Sequence, residues 1–230
     1  MSSASMSVSS VTNVERAYEF IRRLTIEFDV RPGERLNEGA IARDLGMSRA
    51  PVREAMNRLA SEGLLTLVPN QGFSCRMLSA PEILALYEVR SDLECAALAG
   101  IPRAALPAAI GPLTALSVAG RDDGRSAPLE TLVDQDEEFH LRLAGLAGNE
   151  VRVGLLKHIN ARIRFVRRIN LGDLARDRAL DEHMRVVDAL RAGALEEAAG
   201  FLQRHLATCA AAASAAVPRG LARIYAAHGT

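Results

Sequence analysis

The sequence predicts a mainly α protein in two parts: a head of three helices closed by a two-stranded hairpin, then an all-helical bundle of about six helices. Three observations predict it. Apolar residues make up 49% of the 230-residue chain while aromatics reach only 4%, with no Trp, which describes Ala- and Leu-rich helices with enough apolar material for real cores. Apolar positions recur at helical spacing from Val14 to about Val217. The exception is Leu64 to Met77, where two short runs flank Pro69-Asn70-Gln71-Gly72, residues that supply tight-turn backbone angles.

Taken in order, Met1 to Ser10 is Ser-rich, with neither a basic start nor an apolar run, so residues 1–11 read as a disordered tail rather than a signal peptide. Thr12-Asn13-Val14-Glu15 fits a capping box, and Val14, Ala17, Tyr18, Ile21, Leu24 and Phe28 keep helical spacing behind it. Arg31-Pro32-Gly33-Glu34 breaks that helix with a turn. A short capped helix follows, from Leu36-Asn37-Glu38 through Ala40, Ile41 and Leu45. Gly46 can take the left-handed conformation that closes it, and Ser48 can accept a bond from the free N–H groups opening the next helix. Pro51 falls in that helix's first turn, Val52, Met56 and Leu59 pack inward, and Gly63 stops it. The hairpin runs from Leu64 to Val68 and from Phe73 to Met77. The motif is a winged helix-turn-helix over residues 12–77.

Its outward stripe is what gives the motif a chemistry. Arg49, Arg53 and Asn57 are spaced by four beside the inward row. Arginine at the front of an exposed helix can fork onto guanine edges or hold phosphates, as a major-groove reader requires. Gln71 and Gly72 at the hairpin tip could lie along a neighbouring groove or phosphate strand. The expected partner is double-stranded DNA. Formal net charge is zero, with 28 basic and 28 acidic residues, so no global basic field marks the chain, but a small reading head needs only a local cluster.

Leu78-Ser79-Ala80-Pro81 reads as a linker, with Ser79 as a cap and Pro81 at the first helical position. The bundle then occupies residues 82–217, with helices at about 82–99, 104–118, 129–146, 150–169, 174–192 and 194–217 and a charged loop at Gly120-Arg121-Asp122-Asp123-Gly124. Residues 218–230 are read as a tail. Cys75, Cys95 and Cys209 are far apart and form no paired spacing, so they imply neither a disulfide framework nor a thiolate metal knuckle, and a reducing cytoplasm fits. No segment approaches the roughly 20 apolar residues that cross a bilayer, so no membrane is expected.

The bundle carries a second constellation. Asp136 and His140 sit four apart on one helix and project from one face, as two ligands of one ion require. His183 lies in the next-to-last helix and His205 in the last, on either side of the break at Gly193. Antiparallel helices rising about 1.5 Å per residue leave these two histidines several ångströms apart in height. One carboxylate and three imidazoles suit a divalent transition metal such as zinc, nickel or manganese, with one or two positions open. His158 and His228 have no partner identifiable from spacing and are left unassigned. A competing class is a helical-bundle metalloenzyme, hinted at by Glu137-x-x-His140, but a two-iron site needs a second such pair, and neither His183 nor His205 has Glu three residues before it. A DNA-bridging protein would have no need of the histidine set.

The chain resembles the GntR superfamily of bacterial transcription regulators, in the FadR-like branch whose effector domain is called FCD. The resemblance runs from Val14 to about Val217. It rests on Pro32-Gly33-Glu34-Arg35-Leu36-Asn37-Glu38, on Leu45-Gly46-Met47-Ser48-Arg49-Ala50-Pro51-Val52-Arg53-Glu54-Ala55 and on Glu62-Gly63-Leu64 in the head. In the bundle it rests on Tyr87-Glu88-Val89-Arg90 with Leu93-Glu94, on Asp136-Glu137-Glu138-Phe139-His140, and on Gly148-Asn149, Glu182-His183 and His205-Leu206. It implies a regulator, most often a repressor, and no enzyme. It implies that Ser48, Arg49 and Arg53 contact DNA with Gly72 at the wing tip, that Asp136, His140, His183 and His205 bind the metal, and that a small carboxylate effector fills the open positions with Arg90 holding it. It also implies a homodimer on a palindromic operator, which fits the few base pairs one head can read. One departure stands out: Gly39 occupies a place where some FadR-like proteins carry a further DNA-contacting arginine.

Overall fold

Two of the three helices of the head in the computed structural model, which describes residues 12–122, 128–170 and 173–227, open on a bonded side-chain cap that their sequence supplies. Helix α1 (Asn13–Ile26) opens on the Thr12 hydroxyl, which accepts the Glu15 N–H at 3.2 Å. Helix α2 (Glu38–Asp44) opens on the Asn37 side-chain oxygen, which accepts the Ala40 N–H at 3.0 Å. Helix α3 (Arg49–Ser61) starts after Ser48, whose backbone is extended but whose hydroxyl accepts no capping bond. The expected cap fails for a local reason: an N-cap side chain reaches for the second or third N–H of the helix, and the third residue here is Pro51.

Gly46 takes φ +64°, and the N–H groups of Gly46 and Met47 close back onto Arg43 and Ala42. That double closure ends α2 and aims the chain into α3. Phe28 does the same for α1 at φ +54°, an uncommon conformation for a bulky residue. It is held there because its ring is buried, with the Arg76 guanidinium over it at 4.6 Å. The core beneath α3 is Val52, Ala55, Met56 and Leu59, packed with Ala17, Tyr18 and Ile21 of α1.

The hairpin is shorter than predicted. Strands β1 (Leu65–Val68) and β2 (Gly72–Cys75) pair antiparallel, with Val68 opposite Gly72. Leu64 is spent closing α3, its N–H bonding to the Leu59 carbonyl. The predicted turn forms at Gly33, with φ +77° there and the Glu34 N–H donating to the Arg31 carbonyl, and just past it the chain extends the sheet: Arg35 bridges Ser74, and the Leu36 N–H donates to the Phe73 carbonyl.

The chain divides between Met77 and Leu78. The second unit holds, among the described residues, six helices: α4 (Ala80–Ala99), α5 (Leu106–Asp122, preceded by a 3-10 turn at Arg103–Ala105), α6 (Leu129–Gly145), α7 (Glu150–Asn170), α8 (Asp173–Arg191) and α9 (Leu195–Ala227). Ser79 caps α4 by accepting the Glu82 N–H, so the helix begins at Ala80 and Pro81 is its second residue, inside the predicted linker. Helix α5 runs into the predicted charged loop as far as Asp122. Residues 1–11, the rest of that loop, the Leu171-Gly172 break and His228 lie outside the described residues.

Leu98, Leu113, Phe139, Leu143, Val186, Leu190, Leu202 and Leu206 form one buried cluster drawn from α4, α5, α6, α8 and α9. Helix α9 does not stop at Val217 but continues through Pro218 to Ala227. An internal proline costs about 3 kcal/mol, and burial of Val217, Gly220 and Ile224 on one face opposes that cost. A Cβ on Gly220 would stand 2.9 Å from Ile169 and 3.2 Å from Phe165, so α7 and α9 approach closely where a tail was expected. No single helix among the described residues is long and apolar enough to cross a membrane.

Candidate metal centre and nucleic-acid face

Asp136 and His140, one turn apart on α6, meet His183 of α8 and His205 of α9, with one ligand atom from each lying within 4.8 Å of all the others. The predicted height offset closes because His183 is eight residues before the end of α8 and His205 ten after the start of α9. The break thus lies later than the sequence suggested and nearly midway between them. His183 Nε2 and His205 Nε2 stand 3.3 Å apart, and Asp136 Oδ1 lies 3.6 Å from His183 Nε2. All three histidines are buried.

The surrounding groups orient the imidazoles. His140 Nδ1 is 2.6 Å from Glu94 Oε2, and His205 Nδ1 is 2.7 Å from Glu182 Oε2. An ionised carboxylate can only accept, so each Nδ1 carries a proton and Nε2 is left as each ring's ligand atom. Phe139 stacks on His183 at 4.0 Å. Burial, reinforced by the charges of His205 and His140, keeps His183 neutral well below the usual range. Burial likewise holds His140 down to about 4, against the pull of Glu94. Burial opposes a charge on His205 too, but Cys209 and Glu182 outweigh it and push His205 up to about 9. The donor set of one carboxylate oxygen and three nitrogens, two with a carboxylate behind them, fits a divalent transition ion.

Glu137, the residue behind the metalloenzyme alternative, turns away. Its carboxylate pairs with Arg164 at 2.8 Å and Arg167 at 3.4 Å.

Arg90 is buried behind the site. Its Nε donates to Glu94 Oε1 at 2.6 Å, while one terminal nitrogen has no hydrogen-bond partner. It does not line the cavity beside the ligand set, whose wall is formed by Tyr87, Asp136, Arg167, Asn170, Glu182 and Cys209 among others. Arg167, which the sequence reading passed over, supplies the buried cation there, beside the more exposed Arg178, and pairs with Asp136 Oδ2. Burial and the neighbouring Arg90 charge bring Arg167 down to about 10. Glu94, Glu182 and Arg167 had only weak signals in the sequence, the clearest being the Arg90-Glu94 spacing of one helical turn.

In the head, Ser48, Arg49, Arg53 and Asn57 are all exposed along α3, and Gln71 is exposed in the hairpin turn, with Gly72 beginning β2. Two further residues shape this face. Glu38 at the start of α2 holds Arg53, with Oε2 at 3.0 Å from Nε and 2.9 Å from a terminal nitrogen. A Cβ on Gly39 would stand 3.1 Å from the Arg49 guanidinium, so the missing side chain is the space Arg49 occupies. Exposed Arg35 lies beside the wing, 3.8 Å from where a Gly72 Cβ would be.

A helix-turn-helix with a hairpin wing, followed by a helical domain with a buried polar centre, is the architecture of a DNA-binding regulator that carries a second, helical domain. Comparison with known proteins makes the assignment. Residues 13–74 match the model of bacterial regulatory proteins of the gntR family, and residues 85–208 match the FCD domain. The chain belongs to the GntR family of transcription regulators, in the branch that carries an FCD domain. It is 36% identical to the Nta operon transcriptional regulator of Aminobacter aminovorans, over 80% of this chain and 86% of that one. It is 30% identical to an uncharacterized HTH-type transcriptional regulator, YdhC, of Bacillus subtilis, over 76% and 79%. Among solved structures, a putative GntR transcriptional regulator from Rhodococcus sp. RHA1 superposes with TM-score 0.64 at 28% identity, covering 86% of this chain and 95% of that one. Escherichia coli McbR/YncC shares the fold with TM-score 0.68 at 18% identity, over 95% and 100%. These domains and relatives are transcription regulators, not enzymes.

Proposed function

We propose that this regulator is a metal-dependent sensor of a small carboxylate, that it binds a palindromic operator as a homodimer, and that it acts as a repressor. The observation that carries the reading is the convergence of Asp136, His140, His183 and His205 with Glu94 and Glu182 behind two of the imidazoles. A core that only needed filling would not bury three histidines around one point.

The anion follows from charge. Arg90 and Arg167 are both buried, each adds to the cost of charging the other, and one Arg90 nitrogen lacks a partner. A carboxylate on an open metal position would find a charge-assisted partner in Arg167 at the cavity wall, with Arg90 behind it. On DNA, Arg49 and Arg53 read base edges from α3, and Asn57 lies along the same stripe. The Ser48 hydroxyl, with no capping role, takes a phosphate. Gln71 and Gly72 approach a groove with Arg35 alongside.

Effector binding spans α6, α8 and α9, so it biases their arrangement and with it the pairing of two heads. A coupling of roughly 1–3 kcal/mol changes operator affinity about 5- to 150-fold. The test is fluorescence anisotropy on an operator selected from random DNA, with zinc-loaded full-length protein and a panel of small carboxylic acids. One acid weakening binding within that range supports the reading. Equal operator affinity for metal-loaded and metal-free protein across the whole panel contradicts it.

A further inference from the structure

We propose that Arg35 is the phosphate ligand of the wing: from outside the hairpin it supplies the cation that the wing lacks, and with the Ser74 and Thr66 hydroxyls it holds the DNA strand bordering the groove that α3 reads. The inference rests on the DNA-binding reading above and adds to it a surface that the stripe on α3 does not contain.

The hairpin itself is neutral. Between Leu65 and Cys75 there is no Asp, Glu, Lys, Arg or His, and the next arginine, Arg76, is buried with its guanidinium over the Phe28 ring. Cations on phosphates supply much of the affinity for DNA, so a neutral wing gains from a cation lent by a neighbouring segment. Three backbone hydrogen bonds bring one. The Gly33 N–H donates to the Cys75 carbonyl at 3.0 Å, the Cys75 N–H to the Glu34 carbonyl at 2.8 Å, and the Leu36 N–H to the Phe73 carbonyl at 2.9 Å. They lay the segment from Gly33 to Leu36 against β2 and fix Arg35 opposite Ser74.

Residues directly opposite one another in a sheet point to the same face. Ser74 has Arg35 on one side and Thr66 on the other, so one guanidinium and two hydroxyls form a row across three strands. Gly72, two residues before Ser74, lies on that face too, and a Cβ there would stand 3.8 Å from Arg35 Nε. Arg35 and Thr66 are exposed. Among the described residues, neither the Arg35 guanidinium nor either hydroxyl has a hydrogen bond or an ion pair. Arg53, by contrast, is held by Glu38. Arg35 is thus placed by its backbone and left with donors that no acceptor in the chain uses.

Position selects a phosphate over a base edge. Arg35 stands three residues before Glu38, the residue bonded to Arg53 of α3, and three residues of chain span at most about 11 Å. The major groove is about 12 Å wide. A cation tethered that close to the reading helix, but mounted on the sheet beside it, meets the sugar-phosphate strand at the edge of the groove.

Binding isotherms of full-length protein on a selected operator and on scrambled DNA, over a series of salt concentrations, test this. Arg35→Ala should weaken binding severalfold on both DNAs alike and lower the salt slope by about 0.9 per head, the signature of one lost phosphate contact. Arg35→Lys should restore the slope. Ser74→Ala with Thr66→Val should weaken both DNAs and leave the slope unchanged, because a hydroxyl displaces no counterion; full affinity there removes the two hydroxyls from the contact. An unchanged slope in Arg35→Ala overturns the proposal, and a loss confined to the operator overturns it by moving Arg35 to a base edge. If Arg35→Ala loses its melting transition, Arg35→Gln, which keeps the stem and drops the charge, decides by the same slope. A wild type that binds neither DNA overturns the DNA-binding reading as well, whereas Arg49→Ala weakening operator binding beside an unaltered Arg35→Ala overturns the wing contact alone.

Discussion

His183 and His205 meet Nε2 to Nε2 at 3.3 Å, across two helices joined by a tight break. Two lone pairs pointed at each other repel unless a proton or a cation lies between them. The proton that His205 keeps up to about 9 fills that place beside neutral His183, and an ion shared with Asp136 and His140 would take it over. His183→Ala should therefore lower the metal content of purified protein while the head still binds DNA nonspecifically. Elemental analysis beside a DNA-binding assay checks this, and full occupancy in the variant removes His183 from the ligand set.

Glu182 should matter through His205 and not by touching the ion. Glu182→Gln keeps the shape but no longer fixes the proton on His205 Nδ1. Metal affinity should fall about 10- to 100-fold, the usual cost of losing an outer partner. Competition titration with a chelating dye measures it, and an unchanged affinity sinks this role.

Arg167→Gln should uncouple effector from metal. The variant should retain the ion, because four ligands remain, yet lose the rise in melting temperature that a binding carboxylic acid gives the wild type. A thermal-shift series over the same acids decides it. An undiminished shift would place the anion elsewhere than the Arg167 wall.

On the DNA face, Arg53→Ala should cost about 1–3 kcal/mol of specific binding and flatten discrimination among operator variants if Arg53 reads a base. Glu38→Gln should leave that contact available but unaimed, with a smaller loss confined to the specific operator. Gly39→Ala should displace Arg49, since the added Cβ falls 3.1 Å from its guanidinium. Binding isotherms on operator and scrambled DNA separate these. Equal losses on both DNAs would make the arginines phosphate contacts.

The head should also fail in alkali. Burial, with the 2.7 Å hydrogen bond to Glu62, raises the Tyr18 phenol from 10.0 to about 12. A pKa raised in the folded state adds stability that is fully present below the unfolded value near 10 and is lost as pH climbs through about 12. Tyr18→Phe should be less stable at neutral pH and should lose less across that window. Denaturant melts at a series of pH values show it, and parallel pH profiles for both proteins count against it.

Much of the head was legible because its signals are local. Thr12, Asn37, Gly46 and Gly63 act within a turn of where they stand, and α3 buries the row that its spacing specifies. Ser48 was misread because its cap depends on an N–H that Pro51 lacks. The four residues of the candidate metal centre were legible as residue types on helix faces, but their meeting was not, since it depends on where the break before α9 falls. Glu94, Glu182 and Arg167 gave only weak signals for the same reason: each matters through a partner on another helix or through the cavity between helices. Pro218 masked the end of α9 because a local stop signal is weaker than three buried side chains that lie on one face only in the folded bundle.

The most direct measurement is the metal content of the full-length protein, by elemental analysis after zinc loading and exhaustive dialysis, beside an Asp136→Ala, His183→Ala double variant. The account predicts one tightly held ion per chain in the wild type and essentially none in the variant. A wild type that retains no ion, or a double variant that holds it as tightly, would contradict it.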